Sequence, residues 1–144
     1  MTSFKQVYDV FLSKMLDDEW EDWNYDEVEE DLHMLLMGAI PRFKFPRVSL
    51  DYGEEGFNAD LTNEEIQILA TYMKCEWLNR TILTWENVKP LYDERDFSQA
   101  NLIDKFNAML AGEQKQAAKL EAIYYRSVNN KPFAYRQLAT QINE

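Results

Sequence analysis

Cysteine and histidine are nearly absent from this 144-residue chain, with one of each. A lone Cys75 closes no internal disulfide and completes no thiolate metal cluster, which fits a reducing compartment. It sits among apolar neighbours on an expected core helix, the setting of an inert structural thiol. A lone His33 leaves nucleophilic catalysis a single imidazole to draw on. With four glycines the backbone has few places for close approach to a cofactor. There is no Gly-rich phosphate loop, paired-Cys zinc pattern or nucleophile elbow, so no cofactor and no catalytic residue is expected. No apolar run reaches the roughly 18 residues that a bilayer crossing needs. The opening MTSFKQVYDVFLSKMLDDEW has no basic start followed by an apolar stretch and a small-residue cleavage site. Synthesis and residence in the cytosol, with no membrane partner, is the expectation.

Basic residues are also scarce, 15 against 26 acids, for a formal charge of −11. The shortage is confined to residues 1–72, which hold 17 acids and 5 bases, while residues 73–144 hold 9 acids and 10 bases. A surface of this sign gains no counterion release from phosphate, which argues against wrapping of DNA or RNA. The densest stretch, DDEWEDWNYDEVEED at 17–31, has ten acids and no base, headed by Asp17, Asp18, Glu19, Glu21 and Asp22. An EF-hand loop needs a glycine at its sixth place and a glutamate at its twelfth, and those offsets are missing. The run reads as solvated acidic surface, with a charge-complementary partner or a weak divalent-ion site as the alternatives. Glu30-x-x-His33 matches the carboxylate–imidazole pairing of di-iron bundles, but that chemistry needs the motif on two helices and further glutamates. A metal-dependent enzyme is therefore the weakest reading.

What is present is a core. With 46% apolar and 28% charged residues, a chain this long folds as one domain. The first helix is expected over about 3–17, capped by Thr2 or Ser3, with Phe4, Val7, Tyr8, Phe11, Leu12 and Met15 on one face. Asn24 caps a second, where Asp26 and Glu27 favour the positive end of the helix dipole and Val28, Leu32, Leu35, Leu36 and Ile40 form the buried stripe. Pro41 stops it. The segment 41–50, PRFKFPRVSL, alternates like a strand but is interrupted by Pro46, giving an edge strand or extended arm. Residues 51–60 read as loop. Thr62-Asn63-Glu64-Glu65 is a capping box opening a central helix to about Leu83, apolar on more than one stripe. A connector from Thr84 to Phe97 leads to a long last helix from Ser98 through Val128, with Gly112 marking a bend. The expected fold is mainly α: a small helical bundle with a long C-terminal helix, one extended Pro-containing arm or edge strand, and an irregular C-terminal tail. The division is a helical domain over 1–128 and a C-terminal arm over 129–144.

Twenty aromatics exceed what the core stripes use. Trp20, Trp23, Trp85, Phe133 and Tyr135 fall in expected loops or tail, where rigid aromatics serve as packing or as interface anchors. The strings Ala39-Ile40-Pro41-Arg42-Phe43-Lys44-Phe45-Pro46, Phe57-Asn58-Ala59-Asp60-Leu61-Thr62, Glu65-Ile66-Gln67-Ile68-Leu69-Ala70, Glu76-Trp77-Leu78 and Phe97-Ser98-Gln99-Ala100-Asn101 resemble small neck proteins of tailed bacteriophages, of the head–tail connector or adaptor group. The resemblance spans roughly residues 25–128. It implies a mostly helical virion protein that forms a ring with copies of itself at the head–tail junction, between the portal protein and a tail-side or next neck protein. It also implies long helices in the ring wall and an extended or C-terminal arm on a neighbour, by position residues 129–144. The acidic N-terminal fifth departs from that pattern.

The partner-binding candidates are then Phe43, Phe45 and Val48 in the extended segment and Phe133, Tyr135, Arg136 and Leu138 in the tail. A ring needs two different complementary surfaces on each subunit, and the charge imbalance between the chain's halves offers them. Acids lining the bore would let genomic DNA slide past without specific binding. The competing expectation is a small acidic inhibitor or DNA mimic whose carboxylates imitate a phosphate row and block a nucleic-acid-binding host protein.

Overall fold

The computed structural model describes residues 1–15, 25–88, 97–128 and 131–132. Among them the fold is mainly helical, with a long C-terminal helix. The chain opens with β1 (Thr2–Ser3) and runs directly into α1 (Phe4–Lys14). Ser3 caps α1, and Gln6 Oε1 accepts its backbone N–H at 3.1 Å. Phe4, Val7, Tyr8 and Phe11 form the buried stripe. The helix stops at Lys14 rather than 17, because Met15 turns extended and hands its N–H to the Leu12 carbonyl.

Next come α2 (Tyr25–Ala39) and a 3-10 turn, Ile40–Arg42. Val28, Leu32, Leu35, Leu36 and Ala39 are buried, and Pro41 sits at the start of the turn, where its missing N–H is tolerated. The segment after it is not an edge strand. Residues 43–46 run without regular structure and 47–48 bend, and Phe43, Phe45 and Arg47 meet the last helix. The strand that does form, β2 (Gly56–Phe57), falls in the stretch expected to be loop, paired antiparallel with β1 as Thr2↔Phe57 and Ser3↔Gly56. Glycine makes this possible. A Cβ at position 56 would sit 2.7 Å from Ser3 Cα, so any side chain would push the strands apart.

The capping box opens α3 (Asn63–Val88): Glu65 Oε1 accepts the Thr62 N–H at 2.8 Å and Thr62 Oγ1 accepts the Glu65 N–H at 3.3 Å. This helix is the hub, packed by α1, α2 and α4. It runs past Leu83 to Val88, which puts Trp85 on the helix instead of in a connector. The last helix, α4 (Phe97–Tyr125), lies antiparallel to α3, as the pairs Glu65–Tyr124, Tyr72–Glu121 and Lys74–Glu113 require. At about 1.5 Å per residue, α3 and α4 make a rod about 40 Å long. Gly112 stands inside α4 without breaking it. The helix ends at Tyr125, short of Val128, where β3 (Ser127–Val128) pairs antiparallel with β4 (Lys131–Pro132). Among the described residues, no helix is long and apolar enough to cross a membrane.

Candidate interaction surface

The extended arm is anchored where α4 ends. Tyr124 accepts the Arg47 backbone N–H on its hydroxyl at 2.7 Å and donates that hydroxyl to Glu65 Oε2 at 2.8 Å. Arg47 also donates through its guanidinium to the Tyr124 carbonyl, one of the carbonyls a helix end leaves without an intrahelical partner. The same guanidinium lies 4.3 Å from the Tyr124 ring centroid, a cation–π contact. Glu65 is only 1% exposed, and its two oxygens serve the α3 cap and Tyr124. One network, buried at Glu65 and Tyr124, thus joins the arm, the start of α3 and the end of α4. Burial pushes the Tyr124 hydroxyl up to about 12; the Arg47 bond opposes this and Glu65 adds to it.

Aromatic edges complete the anchor. Phe43 meets Tyr124 edge-on at 5.5 Å, and Phe45 meets Tyr125 at 6.3 Å. The two phenylalanines differ in what they leave over. Phe43 is 3% exposed and belongs to the core, while Phe45 is 71% exposed and shows most of its ring to solvent. Period-two alternation would have put both on one face; the irregular backbone after Pro41 separates them. Val48 is half-buried. Tyr125, exposed beside Phe45, was hidden from sequence reasoning inside the long helix, although the adjacent pair Tyr124-Tyr125 at its end was the available signal. Phe133, Tyr135, Arg136 and Leu138, and likewise Asp17, Asp18, Glu19, Trp20, Glu21, Asp22 and Trp23, lie outside the described residues.

The other chemical candidates are dispersed. Glu30 is exposed, whereas His33 is half-buried, 3.3 Å from the Tyr8 hydroxyl through Nδ1 and edge-on to Phe4. Among the described residues no three His, Cys, Asp or Glu side chains are grouped to hold a metal ion. Cys75 is fully buried, and desolvation pushes its thiol up to about 11 against the pull of nearby Arg42. Polar side chains instead tie helices together. Arg80 holds Asp31 of α2 through both oxygens at 2.5 and 3.0 Å, and Arg42 pairs with Glu76. Lys74 reaches Glu113 at 2.9 Å, and Tyr72 donates to Glu121 at 2.9 Å. These residues define a helical scaffold with an aromatic arm at one end. Set against family models, curated proteins and solved structures, the chain matches none.

Proposed function

We propose that this chain is a non-enzymatic structural adaptor of the phage head–tail connector group, made in the host cytoplasm and incorporated at the head–tail junction. It forms a ring with its own copies between the portal protein and a tail-side or neck protein, and genomic DNA passes through the bore without specific binding. The observation that carries this reading is the anchored arm. Its backbone is fixed by Tyr124 while the Phe45 ring is left outside, next to Tyr125, at one end of a long α3–α4 rod. An exposed aromatic on a rigid support suits a binding anchor, because little conformational freedom remains to be lost on docking.

Light scattering of the purified chain mixed with portal protein tests it. A ring-sized complex containing both, together with the chain's location at the head–tail junction of purified particles, is the expected result. A small monomer or dimer that ignores portal and captures a nucleic-acid-binding host protein would establish the acidic inhibitor instead.

A further inference from the structure

The outward face of α4 carries a second stripe, separate from the one that packs on α3. Lys105, Met109, Gly112, Gln116, Lys119 and Ile123 recur at alternating spacings of four and three, which keeps them on one helix face, and all are exposed. Its apolar members are substantial, with Met109 37% and Ile123 48% exposed. At its middle, Gly112 leaves a gap: a Cβ built there meets nothing within 4 Å. The charge on this face is basic. Glu113 and Glu121 turn toward α3, to Lys74 and Tyr72, while Lys105, Lys115, Lys119 and Arg126 are exposed along with a single acid, Asp104. That is unusual in a chain of charge −11.

The complementary face is on α2. Glu30 and Met34 stand four residues apart on one helix face, opposite the buried Leu32 and Leu36. Met34 is 64% exposed, and Glu30, one turn before it on the same face, and Glu29, on the adjoining flank, are exposed carboxylates. We propose that the outer stripe of α4 is the docking surface for α2 of a second copy of this chain, running antiparallel to it, with Met34 seated over Gly112 and Glu29 and Glu30 toward Lys115 and Lys119. A long flexible thioether fills a gap of this kind, and opposite charges at the rim select the partner and set the register. The two faces differ, so the contact is heterologous and repeats from copy to copy, closing into a ring if the rotation allows. The proposal rests on the self-assembling adaptor reading above and adds which two faces meet.

Met34→Cys and Gly112→Cys, made in separate chains, test it, because the native Cys75 is buried and contributes little background. Both positions are exposed, and an unchanged far-UV circular dichroism spectrum establishes that each variant folds. Mixed with portal protein under mild oxidation, the two variants should cross-link to each other, while neither alone should do so. Lys115→Glu with Lys119→Glu in the Gly112→Cys chain should lower the cross-linked yield about tenfold, and Glu29→Lys with Glu30→Lys in the other chain should restore it, the pattern of electrostatically selected docking. A mixture that cross-links no more than the single variants, or a yield indifferent to the charge reversals, overturns the assignment. If the wild-type chain still forms a ring-sized complex with portal in that case, only the choice of faces has failed; if it forms none, the ring reading fails with it.

Discussion

The α1–α2 part of the molecule and the α4 part are held to α3 by different means. Around α1 and α2 the interior is continuous apolar packing, with Val7, Phe11, Leu36, Phe57, Leu69 and Met73 sealed from solvent. Among the described side chains of α4 only Ile103, Ala117 and Tyr124 are buried, with Phe106, Leu110 and Leu120 half-buried between them. The antiparallel register there is pinned by Tyr124–Glu65, Tyr72–Glu121 and Lys74–Glu113. Apolar burial supplies the larger energy but is not directional, whereas satisfied polar contacts select one arrangement among several of similar burial. Among the described residues no buried side-chain nitrogen or oxygen lacks a partner, so this selection carries no desolvation penalty from an orphaned group. One part of the molecule thus provides the denser apolar core, and the other provides a long helical support with an exposed outer face.

The packed end should be the more sensitive to truncation. Phe11→Ala should destabilise the chain by about 3–5 kcal/mol, the range for emptying a buried aromatic site, measured as a shifted urea midpoint. Leu110→Ala, on the half-buried stripe of α4, should lose well under half as much. Equal losses at the two positions would mean that α4 is packed as densely as α1. Gly56→Ala should come next, at about 1–3 kcal/mol, because the new methyl meets the backbone of Thr2 and Ser3 and one strand must move.

Tyr124→Phe sharpens the polar side of the contrast. It removes the hydroxyl shared by Glu65 and the Arg47 N–H, leaving both without that partner, and should cost about 1–3 kcal/mol. Hydrogen exchange at the Arg47 amide should accelerate with it, while the amides of α1 stay protected. A uniform acceleration would show that the network supports the whole fold rather than the arm.

Alkali probes both parts together and more gently. Cys75 and Tyr124 hold their protons more tightly folded than unfolded, with the thiol raised from 9.0 to about 11 and the hydroxyl from 10.0 to about 12. The unfolded chain therefore releases these protons first as pH rises, and stability falls with increasing pH. Their contribution should be complete below pH 9 and decline as pH climbs through 11 to 12. Cys75→Ala should remove the lower part of that decline in a melting-temperature series, leaving the portion due to Tyr124 and to Tyr72 and Tyr125, whose hydroxyls burial also raises.

The apolar architecture was legible in the sequence because it is periodic. The stripes of α1 and α2 stand at helical spacing, and Thr62 with Glu65 announces the start of α3, since a capping box is a local device completed within four residues. What was not legible depends on residues far apart. Tyr124 meets Arg47 and Glu65 across separations of 77 and 59 residues, and no local pattern encodes that meeting. The same holds for β1 with β2, whose two-residue strands show no alternation; Gly56 read as loop when it was marking a close backbone approach. The candidate surface divides along this line. An aromatic segment after Pro41 could be read directly, but which ring would be buried could not, because that depends on the irregular backbone after Pro41 and on the distant end of α4.

That distinction gives the smallest expected effect on stability and a large one on binding. Phe45 exposes most of its ring, so Phe45→Ser removes little buried area and should change stability by no more than about 0.5 kcal/mol, as surface substitutions do. Phe43→Ser, two residues away, opens the core beside Tyr124 and should destabilise strongly. If the arm is a docking anchor, Phe45→Ser should weaken the complex with portal protein by about tenfold or more, in keeping with the loss of more than 1 kcal/mol usual for a central aromatic. The backbone bond from Arg47 to Tyr124 should persist in this variant, visible as an unchanged exchange rate at residue 47. A normal complex formed by a stable Phe45→Ser chain would show that the ring is surplus to binding, and the function of the arm would then lie in its backbone anchor alone.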